Sequence, residues 1–158
     1  MIRVANVIVR QGKAYIPTTA QIEGEMAGAY LDIEPIYVTN LTLDELTEAL
    51  ERVVATGNPK VPTPTLEELE RYYSKLVPRA AGVKSWKALA RGGASYAIEW
   101  QRDKIVLYMS QLDKKGRFVD DPGKRREFPS GTDIRTIAEV ILEDVNSRPE
   151  LLVSNMKP

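Results

Sequence analysis

The sequence predicts a single α+β domain, a mainly antiparallel sheet with about three to four helices packed on it. Three observations carry that expectation. Strand-like segments come in runs rather than alternating one-for-one with helices, which favours antiparallel pairing with helices laid on one sheet. Two helix starts, at Thr42 and Thr65, are written as Thr-x-x-Glu boxes. Residues 96–111 alternate apolar and polar side chains on either side of a two-residue turn. A length of 158 residues fits one domain, and 43% hydrophobic content fills its core.

Ile2 to Val9, rich in Val and Ile, reads as a strand; Gln11-Gly12-Lys13 turns it, and Ala14 to Ile16 returns until Pro17 stops the ladder. Gly24 and Gly28 flank a loop. Ala29 to Val38 is extended, and Pro35 places it at an edge or a bulge. The first helix starts at a Thr42/Glu45 capping box, carries Leu43, Leu46, Leu50, Val53 and Val54 on one face, and stops at Gly57. Asn58 to Pro64, with three prolines, reads as a stiff connector. A second box, Thr65/Glu68, opens a helix expected to run to Pro78, and Lys84 to Arg91 forms a short one closed by Gly92-Gly93. Tyr96 to Gln101 and Lys104 to Gln111 form a hairpin about Arg102-Asp103. Arg117 to Asp120 and Arg126 to Phe128 suggest another about Asp121-Pro122-Gly123. The last helix runs from about Thr132 to Val145, and Ser154 to Pro158 is expected to fray.

The composition removes most catalytic chemistry. The chain has no histidine and no cysteine, so Ser-His-Asp and Cys-His catalysis and thiolate metal ligation are excluded. No phosphate-binding glycine pattern occurs. We expect no catalytic residue, no cofactor and no metal site. No apolar run approaches the roughly 18 residues of a membrane span, and Met1 to Asn6 lacks the layout of a secretory signal. With no cysteine for disulfides, a cytoplasmic protein without a membrane partner is expected.

Formal net charge is zero, yet the charges are sorted. From Ala14 to Glu51 there are eight acids (Glu23, Glu25, Asp32, Glu34, Asp44, Glu45, Glu48, Glu51) and no base; from Arg71 to Arg91 there are six bases and no acid. Either the two stretches neutralise each other within the fold, or one forms a pole that meets a charged partner. Asp44, Glu45 and Glu48 also suit the start of a helix, where the dipole favours acids. Asp32 and Glu34, two apart on an extended stretch, point the same way. They read either as a solvated strand face or as an Mg²⁺-holding or acid–base pair.

Two other function classes remain open. Glu99-Trp100-Gln101 resembles the Glu-x-Lys half of metal-dependent nucleases, with Gln in place of Lys and Asp32 as the upstream acid needed to complete the site. The Arg71–Arg91 bases, with Lys114, Lys115, Arg117, Lys124, Arg125 and Arg126, suit phosphates, and Tyr72, Tyr73, Trp86 or Phe118 suit base stacking. A pI of about 6.4 and interleaved acids argue against nucleic acid.

Gly82-Val83-Lys84-Ser85-Trp86-Lys87-Ala88-Leu89, followed by Gly92-Gly93-Ala94-Ser95-Tyr96, resembles immunity proteins of contact-dependent growth inhibition systems. In that resemblance a Ser-Trp-Lys element opens a short helix feeding the central sheet. Ser85 is expected to cap the helix and Trp86 to anchor it in the core. The resemblance implies a bacterial cytosolic protein that binds and blocks a cognate toxin domain. Many such toxins are nucleases with basic clefts, so it makes the acids Glu23, Glu25, Asp32, Glu34, Asp44, Glu45 and Glu48 the candidate partner contacts.

Overall fold

The computed structural model describes residues 2–152; the expected fraying of Ser154–Pro158 lies outside them. The chain opens with three strands, β1 (Val4–Arg10), β2 (Lys13–Glu23) and β3 (Tyr30–Asn40), then the long helix α1 (Leu43–Thr56) and the short strand β4 (Lys60–Pro62). Three short helices follow, α2 (Leu66–Arg71), α3 (Leu76–Ala80) and α4 (Trp86–Ala90). Strands β5 (Gly93–Trp100), β6 (Lys104–Leu112), β7 (Phe118–Asp120) and β8 (Arg126–Pro129) and the long helix α5 (Ile134–Asn146) complete it. The α+β class is therefore as the sequence predicts. The strand order is β3-β2-β1-β5-β6-β7, with β8 also on β6 and β4 on β2. All pairings are antiparallel except that of β4 with β2.

Strand alternation sends two sets of side chains to opposite faces. Ala5, Val7 and Val9 of β1, Tyr96 and Ile98 of β5, and Ile105, Leu107 and Met109 of β6 face α1 and α5. These helices cover them with Leu46, Leu50 and Val53 and with Ile137, Ile141 and Val145. The other face is covered thinly. Ile8 and Tyr15 meet Val77 of α3 and Leu89 of α4, with Ile36, Val83 and Trp86 packed around them.

Four elements differ from the sequence expectation. Pro17 does not end β2, because the β2–β3 register shifts between Pro17 and Thr18 and Glu34-Pro35 bulges out of the ladder. The Thr18 hydroxyl donates to the Pro35 carbonyl at 2.8 Å, so the irregularity accommodates a residue without an N–H. The stiff connector includes β4, parallel to β2, and the Asn58 side chain stitches it in. Asn58 Oδ1 accepts the Arg3 and Val4 N–H groups, and Nδ2 donates to the Val4 and Thr19 carbonyls. The helix from Thr65 breaks at Tyr72; α3 then takes Pro78 in its first turn, where the missing N–H costs no helical bond. Finally, β7 and β8 do not form a hairpin. They lie end to end along β6, on Ser110–Leu112 and on Lys104–Leu107, offset by a 3₁₀ turn at Pro122–Lys124. The nine residues of β6 offer an edge long enough for both.

The caps are specific. Thr65 and Glu68 make a reciprocal capping box. At α1, Thr42 Oγ1 accepts the Glu45 N–H, but the Glu45 carboxylate turns back to the Asn40 N–H and side-chain amide instead of to the Thr42 N–H. After α4 the chain needs two glycines. Gly92 has φ +74°, and a Cβ on Gly93 would stand 2.6 Å from the Leu89 carbonyl oxygen. Without that side chain, α4 comes down directly onto the start of β5.

Candidate partner-binding site

The eight acids, uninterrupted by any base in sequence, are dispersed by the fold. Asp44, Glu45 and Glu48 lie on α1, on the thickly covered face. There Asp44 pairs with Arg135 at 3.0 Å, Glu48 pairs with Arg52 at 2.8 Å, and Glu45 serves the cap. Glu51 is exposed further along α1. Glu23, at the end of β2, stands 3.8 Å from Lys60, and Glu25 is exposed in the β2–β3 loop. Asp32 and Glu34 face the other layer, the one built by α2–α4.

Asp32 and Glu34 point to the same side, as their spacing requires, but they meet different surroundings. Asp32 is half-buried in a hollow of ≈ 410 Å³ floored by Asn6, Ile8 and Ser95 and walled by Trp86, Ala90 and Phe118. Burial there pushes its carboxyl up to about 6. Glu34, exposed in the bulge, stands beside Tyr72 and Arg79. Burial and the adjoining Glu34 carboxylate both raise the Tyr72 phenol.

Among the described residues no three His, Cys, Asp or Glu side chains converge to hold a metal ion. Glu99 lies on β5 and accepts the Gln101 amide at 2.6 Å. Strands β2 and β1 intervene between its strand and that of Asp32, a separation of about 14 Å at the usual inter-strand spacing. The pair on which the nuclease reading depends is therefore not assembled.

Ser85 Oγ accepts the Ala88 N–H at 3.1 Å, which fixes the first turn of α4. Trp86 packs against the Ile8/Tyr15/Val77/Leu89 cluster, and its indole N–H donates to the Ser74 carbonyl at 2.8 Å. One side chain thus ties α4 to the turn preceding α3 and also forms a wall of the Asp32 hollow.

Of the bases that the sequence groups as possible phosphate contacts, the fold brings four around one hollow. Lys87 and Arg91, four apart across the end of α4, face Lys114 and Lys115 of the β6–β7 loop across a second hollow of ≈ 340 Å³. That loop is held in shape by Asp113, which accepts the Lys115 and Arg117 N–H groups and pairs with the Arg117 guanidinium at 2.9 Å. The hydrogen bond from the Arg117 backbone, with the others, holds the Asp113 carboxyl below its usual range. The two hollows share Lys87 and Gly116 and form one cleft, apolar with Asp32 at one end and basic at the other.

The comparisons with known proteins give a fold and no family. No family model matches the chain, and no curated protein matches it. A protein of unknown function from Neisseria meningitidis is similar over 91% of this chain and 94% of its own, with a TM-score of 0.65 and 14% identity. A chain of the CdiA-CT/CdiI toxin and immunity complex from Yersinia pseudotuberculosis is similar over 92% of this chain and 96% of its own. Its TM-score is 0.62 and its identity 16%. The likeness spans 91% and 92% of the chain and is one of fold. It extends well beyond residues 82–96, on which the sequence resemblance rests. Among the described residues no helix is long and apolar enough to cross a membrane.

Proposed function

We propose that the chain is an immunity protein that binds and blocks a cognate toxin domain, a nuclease, in the cytosol, and is itself not an enzyme. The observation that carries this reading is the fold likeness, over 92% of the chain, to a chain of a toxin and immunity complex. The local resemblance around Ser85 and Trp86 points the same way independently. The partner contacts proposed first are Glu23, Glu25, Asp32 and Glu34. Asp44 and Glu48 have bases of this chain at 3.0 and 2.8 Å and Glu45 is engaged in a cap, so they are secondary contacts; Glu23 also has a base within ion-pair distance, but the looser one, Lys60 at 3.8 Å. Glu25 and Glu34, exposed and without an ion pair among the described residues, and Asp32, half-buried without one, gain most from a basic cleft.

The test uses the C-terminal domain encoded by the reading frame directly upstream of this chain. That domain should arrest growth alone, bind this chain in calorimetry, and lose its toxicity on co-expression. A toxic upstream domain that this chain neither binds nor neutralises sinks the reading. Nuclease activity of the purified chain itself, with Mg²⁺ or Mn²⁺ and abolished in Glu99→Ala, also sinks it.

A further inference from the structure

We infer that the cleft between α4 and the β6–β7 loop seats an acidic polypeptide segment of the protein partner. An apolar side chain of that segment enters the Asp32 hollow, and its carboxylates meet the four bases beyond. The inference rests on the reading of this chain as a binder of a protein partner and locates one contact surface. Lys87, Arg91, Lys114 and Lys115 are all exposed, and none joins an ion pair among the described residues. No acid lines their hollow. Four like charges held around one concavity repel in the free protein, and that repulsion is relieved when anions enter.

The adjoining hollow selects the kind of anion. Ile8, Trp86, Ala90 and Phe118 offer it a mainly apolar lining suited to a buried side chain. Its polar members are Asn6, Ser95 and Arg117, beside Asp32 and the shared Lys87. A nucleic acid fits this cleft poorly. Asp32 sits inside it and opposes a chain that carries a phosphate at every unit, whereas a peptide can place an uncharged side chain there. Trp86 is committed to the Ser74 carbonyl and to the Leu89 cluster, so its ring is not free to sandwich a base. A peptide with alternating acidic and apolar side chains meets both halves, and its backbone N–H groups can donate to Asp32.

Two measurements on the full chain test this. In the first, the isotope-labelled protein is titrated with the peptide Glu-Glu-Leu-Asp-Trp-Glu-Glu, with its all-Lys-for-acid counterpart, and with a short oligouridine. The acidic peptide should shift the amides of residues 86–91 and 113–118, and Lys87→Glu, Lys114→Glu and Lys115→Glu combined should abolish the shifts. No response there to the acidic peptide, or a stronger one to oligouridine, overturns the inference. In the second, the triple variant should bind the upstream toxin domain about tenfold or more weakly, chiefly through a slower on-rate. Equal binding by wild type and variant removes the cleft and leaves the immunity reading standing. Peptide shifts without any toxin binding remove the immunity reading and leave the cleft.

Discussion

The two faces of the sheet bury their side chains by different means. Beneath α1 and α5 the packing is continuous across β1, β5 and β6, and the carboxylate admitted there is fully engaged, although Thr47 Oγ1 and Arg148 Nε find no hydrogen-bond partner among the described residues. Asp144 of α5 accepts the Tyr96 hydroxyl at 2.6 Å and pairs with Lys124 at 3.0 Å and Arg148 at 2.8 Å. Burial alone would push its carboxyl up, but hydrogen bonds from Tyr96, Lys124 and Arg148 outweigh this and hold it below the usual range. Beneath α3 and α4 the cover is a small cluster, the cleft beside it stays open, and Asp32 is half-buried with a raised pKa. One carboxylate is matched by three donors and the other, among the described residues, by none. The thick face compensates its buried carboxylate, and the thin face leaves the Asp32 carboxylate uncompensated, as binding surfaces do.

The largest expected effect is on the thick face. Ile141 is fully buried between α5 and the sheet, so Ile141→Ala should cost about 2–5 kcal/mol in denaturant unfolding. A loss below about 1 kcal/mol would mean that this layer relaxes as readily as the other. On the thin face, Gly93→Ala drives a Cβ against the Leu89 carbonyl, which is backbone and cannot rotate away. It should cost about 1–3 kcal/mol, and hydrogen exchange should increase first in α4. Uniform exchange across both layers would erase the distinction between them.

The smallest effect sharpens the comparison through pH. A carboxyl whose folded pKa is raised binds its proton more tightly in the fold. The stability tied to Asp32 is thus fully present below the unfolded value near 4 and is lost as pH rises through about 6. The shift sets an upper bound of about 3 kcal/mol, and with partial solvent screening Asp32→Asn should stabilise the protein by about 1 kcal/mol at pH 7.5, with the gain fading towards pH 4. Asp144 has the opposite sign, since its lowered pKa contributes stability above the unfolded value that is lost only in acid. An Asp32→Asn variant no more stable than wild type at pH 7.5 would show that Asp32 is compensated after all.

The first hairpin, the two long amphipathic helices, the Thr65 capping box and the Ser85 cap were legible in the sequence. Each rests on residues within a few positions of one another, where periodicity and capping chemistry act directly. Continuation of β2 past Pro17 was not legible, because the tolerance comes from a bulge in a different strand at Glu34-Pro35. Nor was the fate of β7 and β8, which is decided by the length of free edge that β6 presents to both.

The charges divide in the same way. By itself the sequence determined that this chain has neither His nor Cys for catalysis and that its acids and bases come in separate runs. Only the tertiary structure decided what those runs become. A strand-to-helix crossover places Asp32 and Asp44 on opposite faces of one sheet, so the acidic run is divided. The β6–β7 loop returns to α4 and joins Lys114 and Lys115 to Lys87 and Arg91. Charge acts through space over about a Debye length, roughly 8–10 Å, whatever the separation along the chain. A run of like charges in sequence therefore becomes a surface pole only where the fold keeps its members within that distance.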